Sequence, residues 1–503
     1  MQVTGTTLIL GGHVVPTTPR AAGRAFVAEI RSMPSGLRIW MIILSTVLAI
    51  GGVSALLALP PGWEVMGTRP SFEWGLLIVG YVLFAIITSG LCLASSGATV
   101  FGIERFRPFE KRHAILAVLS LTTAFGIIAL ELHYPIRMVF GAVLVISPSS
   151  PMWWMGVFYG AYLVVLLVEV WSMFTPHPHI HQWACTIAAG IAICAPTTLG
   201  AVFGIIAAKP FWTGIFTPIL MVASAFLAGT CLLGIVFYAV HRLKLADHER
   251  SASIALPSVR LLLGVGLAIV SALIAREIVV GLNSNEPALR PAVEALISGP
   301  LAFQFIGIRV IGGIAVPAIL ILLPLTRTPA FTAVAAGLAL VGVFFDRLTF
   351  VTAGQVVPRS TLAGSVSYPY ASYMPSPVEI GIMLGAVAFV AMGYTLAERY
   401  LDMGEADVHV GIPWPWVKRQ AHDAGAGDAA HSVAGHEHDD GVAIATPEAP
   451  VAPETDNAGA DADSATEVPA SEMPASDPAA VDAAEDAAED AARDPADAGE
   501  APA

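Results

Sequence analysis

Charge is the first thing this sequence is short of. Only 13% of its 503 residues are Asp, Glu, Lys or Arg, whereas 55% are hydrophobic and the mean hydropathy is +0.71. An ordinary soluble domain is about 25% charged, so the composition excludes a soluble enzyme and points to the bilayer. Cysteine is scarce as well. Cys92, Cys185, Cys194 and Cys231 all fall in apolar stretches and form no C-x-x-C pair. The chain therefore encodes no zinc knuckle, four-cysteine iron–sulfur cluster or covalently attached haem, and the four read as buried structural thiols. P-loop, nucleophile-elbow and metalloprotease patterns are missing, and no extended basic domain offers a surface to nucleic acid. The opening "MQVTGTTLILGGHVVPTTPR" lacks the basic n-region and long apolar core of a cleaved secretory signal. The first span is expected to act as an uncleaved one.

The few charges are unevenly spread. Residues 421–503 hold 21 acids and one base, Arg493, while the first 420 hold 18 acids and 24 bases. The acidic end is rich in Ala, Asp, Glu and Pro and almost free of aromatics. It cannot bury enough apolar surface to offset its ordering entropy, so a solvated, disordered tail is expected. Three parts follow: an N-terminal arm over 1–37, a membrane domain over 38–402 and a low-complexity tail over 403–503.

A membrane helix needs about 20 mostly apolar residues. Ten such runs occur, near 38–58, 75–100, 114–134, 153–173, 184–207, 214–240, 257–281, 300–324, 329–352 and 377–397. Each is continuously apolar rather than alternating, which predicts helices and not a barrel. The expected fold is an all-α integral membrane protein of about ten transmembrane helices in two helical bundles. Lys and Arg mark cytoplasmic loops. With the N-terminus inside, the inner segments carry sixteen of them and the outer loops five: Arg69, Arg137, Lys209, Arg290 and Arg359. Both termini are therefore expected in the cytoplasm of a bacterial or archaeal cell. Trp153, Trp154 and Trp212 at outer ends, with Trp40, Trp171 and Trp183 at inner ends, suit an aromatic belt.

That orientation turns the intramembrane charges into a map. The segment "FGIIALELHYPIRMVF" places Glu131, His133 and Arg137 near the outer end of the third span. Arg276 and Glu277 lie near the outer end of the seventh, Arg309 in the outer half of the eighth, Asp346 and Arg347 in the ninth, and Glu379 at the start of the tenth. The inner half is expected to hold Glu169 and little else. A charge in hydrocarbon costs at least about 2.5–3.5 kcal/mol on insertion scales, so such groups face the bundle interior and pair. Four acids and four bases from several helices at one depth predict a ligand or proton site, the bland alternative being ion pairs that lock helices together. Glu131 and His133 stand two apart and need not share a pocket. His133 has no histidine facing it, since His113 and His241 fall at the inner surface, so no b-type haem is expected. His177, His179 and His181 in "TPHPHIHQW" have metal-like spacing but read as a solvated inner loop, and no metal site is expected.

Three stretches resemble the NrfD/polysulfide-reductase membrane-subunit family, in its ten-span branch of hydrogenase- and sulfite-reductase-associated subunits. "LELHYPIRMVF" is similar to the family's acid-Leu-Gly-Arg-Pro segment through Glu131, Leu132 and Pro135, with His133 and Tyr134 in place of Gly-Arg and Arg137 nearby. "APTTLGAVFGIIAAKPFW" is similar to a His-x-Ser-Ser-Leu-Gly pattern, with Ala195 at the histidine position. "FDRLTF" and "YMPSPVEIGIMLGAVAF" match the last two spans through Arg347, Tyr373, Pro375, Ser376 and Glu379. The resemblance covers roughly 38–402.

It implies a quinone-reactive membrane subunit that carries no haem or iron–sulfur cluster of its own. Such a protein exchanges electrons between menaquinone or ubiquinone and a ferredoxin-like iron–sulfur subunit, which serves a larger catalytic redox subunit. The partner is expected on the outer face. Glu131, His133, Glu277 or Asp346 would take protons, whereas Arg137, Arg276, Arg309, Arg347, Tyr373 and Glu379 would hold the quinone. Tyr368, Tyr370 and Tyr373 would wall the pocket or meet the partner. A secondary transporter, with Pro196, Pro218 and Pro324 breaking its helices, and a passive anchor for a periplasmic enzyme are the competing readings.

Overall fold

The computed structural model describes residues 2–4, 7–10, 13–16, 33–59, 65–69, 72–132, 146–175, 177–243, 249–286, 288–357, 370–401 and 403. His133, Arg137, Arg359 and Tyr368, with the acidic tail expected to be disordered, lie outside them. A small antiparallel sheet of β1 (Gln2–Thr4), β2 (Thr7–Leu10) and β3 (His13–Pro16) precedes the helices. The helices are α1 (Ser35–Ala58), α2 (Leu76–Thr99), α3 (Glu110–Glu131, entered through a 3-10 turn at Glu104–Phe109), α4 (Pro151–Met173), α5 (Pro178–Gly204), α6 (Phe216–Leu243) and α7 (Glu249–Leu282). There follow a short α8 (Leu289–Ile297), a π-helix (Phe303–Ala315) that continues as α9 (Val316–Leu322), then α10 (Pro329–Val356) and α11 (Pro377–Tyr400). Ten of these helical stretches are long and apolar enough to cross a membrane. A helix of 24 residues such as α1 or α11 is about 36 Å long, enough for a hydrocarbon layer of about 30 Å.

Local sequence sets the helix starts. α4, α5, α10 and α11 each open on a proline, whose missing N–H costs nothing in the first turn. Ser376 and Glu379 close a reciprocal capping box on α11, and Thr328 caps α10. Below, the side on which α1 begins is the proximal side and the opposite one the distal side.

Helix α2 is the hub: 89% of its apolar window is buried, against 22% for α1. It packs on α3, α5, α6, α10 and α11. Helices α2, α3, α4 and α5 close one four-helix group, and α6, α7, the π/α9 span and α10 a second, joined by α2 against α6. α1 and α11 form a pair against the first group. The expected pair of bundles is present, with two spans left over as that outer pair.

Small residues let backbones meet at these crossings, as in membrane helix pairs generally. A Cβ on Gly90 of α2 would lie 1.7 Å from the Ala225 carbonyl oxygen of α6, and one on Gly313 of the π-helix 2.3 Å from the Gly342 Cα of α10. Outward faces are apolar, with Ile42, Leu56, Trp183 and Ile219 exposed. Cys194 is also exposed, unlike the other three cysteines, so the expectation of four buried thiols holds for three.

Candidate functional site

Four of the charges expected to converge do meet, in the distal half of the second group. Asp346 and Arg347 lie on α10, 3% and 0% exposed, and the 2%-exposed Arg309 reaches Asp346 from the π-helix. Both arginines make close ion pairs with the Asp346 carboxylate, and Glu277 of α7 stands 3.8 Å from Arg309. Two acids and two bases leave the cluster neutral, which is what makes its burial tolerable. Aromatic faces and a hydroxyl complete the shells. Arg309 lies over Phe305 at 4.8 Å and Arg347 over Phe350 at 5.4 Å, while Arg347 also donates to Ser224 Oγ at 3.1 Å. Arg309 Nε has no hydrogen-bond partner. Beside it a slit of about 10 Å³ runs between Leu227, Val270, Ile274, Gly313, Ala339 and Val343. The π-winding is itself informative, because π-turns are rare and recur at functional sites. Arg276 does not join. Its guanidinium stacks 4.1 Å above Phe216, and it makes no ion pair among the described residues.

A second group forms the distal rim. Glu379 is fully buried and receives the Gly67 N–H at 3.0 Å, the Ser376 N–H at 2.7 Å and the Tyr373 hydroxyl at 2.9 Å. The Tyr373 oxygen in turn accepts the Leu76 N–H at 2.6 Å, and its ring stacks on Phe72. Burial and the neighbouring Glu379 carboxylate push the Tyr373 phenol above its ordinary value, so it stays a donor. Glu379 is thus fully engaged in joining the α1–α2 loop to α11. Glu131, at the end of α3, feels the Glu379 charge but makes no hydrogen bond or ion pair among the described residues. Among the described residues it is the one carboxylate of the set without a partner.

Between rim and ion cluster lies an aromatic layer that sequence reading missed. Gln355 of α10 clasps the Trp74 backbone through both amide atoms, at 3.0 and 2.9 Å. Trp74 stacks on Trp212, whose indole donates to the Phe350 carbonyl at 2.8 Å. Trp212 is 2% exposed, so it is a packing residue and not part of an interfacial belt. Its polar N–H has found a buried carbonyl, which removes the reason for an indole to stay at the interface. Tyr370 is half-buried against the core.

Residues 64–359 match the sequence model of the NrfD polysulphide reductase family. The chain belongs to that family. It is 25% identical over 374 residues to an Hdr-like menaquinol oxidoreductase integral membrane subunit of Archaeoglobus fulgidus, covering 71% of this chain and 91% of the relative. A putative dimethyl sulfoxide reductase membrane subunit from Halobacterium salinarum is 25% identical over 409 residues, covering 73% and 92%. A selenate reductase subunit from Mesobacillus selenatarsenatis is 24% identical over 236 residues, covering 39% of this chain and 55% of that one. The stretch matched to the NrfD model holds Glu131, Glu277, Arg309 and Asp346–Arg347 but ends before Tyr373 and Glu379.

This NrfD chain also departs from the expected charge map. The proximal half was expected to hold Glu169 and little else, yet it contains three buried pairs. Arg112 of α3 bonds Glu398 of α11 at 2.7 Å, His113 meets Glu169 of α4 at 3.0 Å, and His181 of α5 meets Glu110 at 2.7 Å. The physical reason is where the helices begin. α3 starts at Glu110, so Arg112 and His113 stand in its first turn and point inward, not in a cytoplasmic loop. α5 starts at Pro178, so His181 is 4% exposed inside a helix; His177 is the N-cap residue of that helix and His179 stands in its first turn, both exposed, so only His177 keeps the expected loop position. Ala195, at the position where the family pattern has histidine, is fully buried in α5.

Proposed function

We propose that this chain is the quinone-interacting membrane subunit of a respiratory oxidoreductase complex. The observation that carries the reading is the family match over 64–359, which spans the helices holding the distal Glu131 and the buried arginine–aspartate cluster. The relatives named as membrane subunits of menaquinol oxidoreductase and of reductases support it. In this reading the chain passes electrons between menaquinone or ubiquinone and an iron–sulfur partner on the distal face, and that partner serves a larger catalytic subunit. The proximal face is cytoplasmic, in keeping with the sixteen-to-five bias of Lys and Arg.

The residues fit a quinone as substrate. Quinol oxidation releases protons with its electrons, and a carboxylate at the distal rim receives one without breaking an ion pair; Glu131 is placed for that. Arg309, its Nε unpartnered among the described residues, would offer a charge-assisted donor to a ring oxygen once the adjoining slit, now about 10 Å³, opens to admit the ring. Arg347 and Glu277 hold Arg309 and Asp346 in place, Asp346 being committed to two guanidiniums. Glu379 and Tyr373 shape the rim through their hydrogen bonds.

The test is Glu131→Gln in the intact complex purified from native membranes. Loss of one general base predicts quinone turnover lower by about 10²–10⁴-fold, with assembly and iron–sulfur content unchanged. Unaltered turnover would remove Glu131 from the mechanism. Repeated mild purifications that yield neither an iron–sulfur partner nor bound quinone would sink the reading as a whole.

A further inference from the structure

The proximal end of the first four-helix group holds a cluster that quinone chemistry does not use. Glu110 opens α3, His181 stands in the first turn of α5, and Cys185 follows one turn later on the same face. Their donor atoms all lie within 4.8 Å of one another. Glu110 Oε1 is 2.7 Å from His181 Nε2, and Cys185 Sγ is 3.6 Å from that nitrogen.

The hydrogen bonds around His181 decide which nitrogen is free. Ser172 Oγ donates its single hydrogen to the Glu169 carbonyl at 2.7 Å. It therefore accepts from His181 Nδ1, 3.1 Å away, and that nitrogen carries the proton. Nε2 is left facing a carboxylate oxygen and a sulfur. Two acceptors 2.7 Å apart share a proton, on Nε2 or on the carboxyl; an ion that replaces that proton with tetrahedral bonds of about 2.0 Å would spread the two atoms to about 3.3 Å. A hydroxyl fixing the far nitrogen is the kind of support that orients metal-ligating imidazoles.

A second carboxylate stands close by: Glu169 is fully buried, beside the Cys185 thiol, and its Oε2 meets no nitrogen or oxygen donor among the described residues. Its Oε1 lies 3.0 Å from His113 Nε2. We propose that Glu110, His181 and Cys185 bind one divalent transition-metal ion of the zinc type, tying the proximal ends of α3 and α5 together, with the fourth position left to water or to the Glu169 carboxylate of α4, which lies outside the 4.8 Å group and would have to move in. A mixed oxygen, nitrogen and sulfur set suits zinc or cobalt, whereas calcium and magnesium take oxygen alone. One divalent ion in place of the thiol proton and the Nε2 proton adds no net charge to the buried site. The Glu110 side chain, 15% exposed, gives the ion a way in from the proximal surface.

The test uses the full-length chain, purified in detergent, stripped with chelator and titrated with Co²⁺. One ion per chain is expected, with a thiolate-to-cobalt charge-transfer band and the strong visible absorption of tetrahedral cobalt. Cys185→Ser should abolish the band, whereas Cys194→Ser, at the exposed thiol of the same helix, should keep it. Ser172→Ala leaves every ligand in place and should weaken binding about 10–100-fold, which covers the case in which Cys185→Ser does not fold. No band in the wild-type chain, a band that survives Cys185→Ser, or unchanged affinity in Ser172→Ala would each overturn the site and leave an imidazolium–carboxylate pair beside a bystander thiol.

Discussion

At the scale of single residues, burial sorts charges that look alike in the sequence. Asp346, Glu379 and Glu131 are three acids at the distal side. Asp346 is held by two arginines, Glu379 by two backbone N–H groups and a phenol, and Glu131 by neither kind of partner among the described residues. Only the last can change protonation without leaving a buried partner bare, a step that costs about 3–5 kcal/mol when an ion pair is broken. Tyr373 offers a clean measure of the rim. Tyr373→Phe keeps the stack on Phe72 but leaves Glu379 short of a donor and the Leu76 N–H without its acceptor. Unfilled buried groups of this kind cost about 1–3 kcal/mol, so the variant should unfold at a lower temperature in detergent, with unchanged helix content by circular dichroism. An unshifted midpoint would show that water replaces the hydroxyl and that Glu379 depends on Ser376 and Gly67 alone. The distal charges were legible because a charge inside an apolar run has to be explained. Glu110, Arg112, Glu398 and His181 were not, since each falls near a helix end, where a charge reads equally well as solvated. Their partners lie on other helices, and nothing local in the sequence announces them.

At the scale of elements, hydropathy located all ten spans, because each must cover its own backbone polar groups across the hydrocarbon. What it left open was how far helices continue past the apolar run. α3 begins four residues before the apolar run expected from residue 114, and α5 six before that expected from 184. Those polar first turns are the ones that bring His113 and His181 indoors. Helix crossings were equally hidden, for a glycine at a backbone contact and a glycine facing outward are the same letter. α10 carries both kinds. A Cβ on Gly342 would meet the Gly313 Cα of the π-helix at 2.5 Å, whereas one on Gly337 meets nothing within 4 Å. Gly342→Ala should therefore destabilise by about 1–3 kcal/mol through overpacking and disturb the approach of Arg309 to Asp346. Gly337→Ala should be neutral or stabilising by up to about 1 kcal/mol from helix propensity. Thermal unfolding of the two variants side by side reads the difference. Equal midpoints would mean that the π-helix is free to slide away from α10.

At the scale of the whole molecule, topology fixes which helix ends share a face, and the proposal that the proximal face is cytoplasmic rests on the Lys and Arg bias. The turn between α9 and α10 and the 3-10 turn before α3 share the proximal side with Arg327, Arg105 and Arg107, while the α7–α8 turn lies on the distal side. The distal half holds Glu131 and the Arg309–Asp346 pair, so in the proposed function the electron-accepting partner docks on that face. Two exposed turns make the orientation measurable. Asn283 ends α7 on the distal side, and Leu325, 92% exposed, lies in the proximal turn. In intact cells a membrane-impermeant thiol reagent should label Asn283→Cys and spare Leu325→Cys, and permeabilised cells should label both. The wild-type chain provides the background, its one exposed thiol among the described residues, Cys194, lying within the apolar length of α5. The reverse pattern would put the buried carboxylates on the cytoplasmic half. Protons from quinol oxidation would then leave on the inside, and the iron–sulfur partner would have to be sought there.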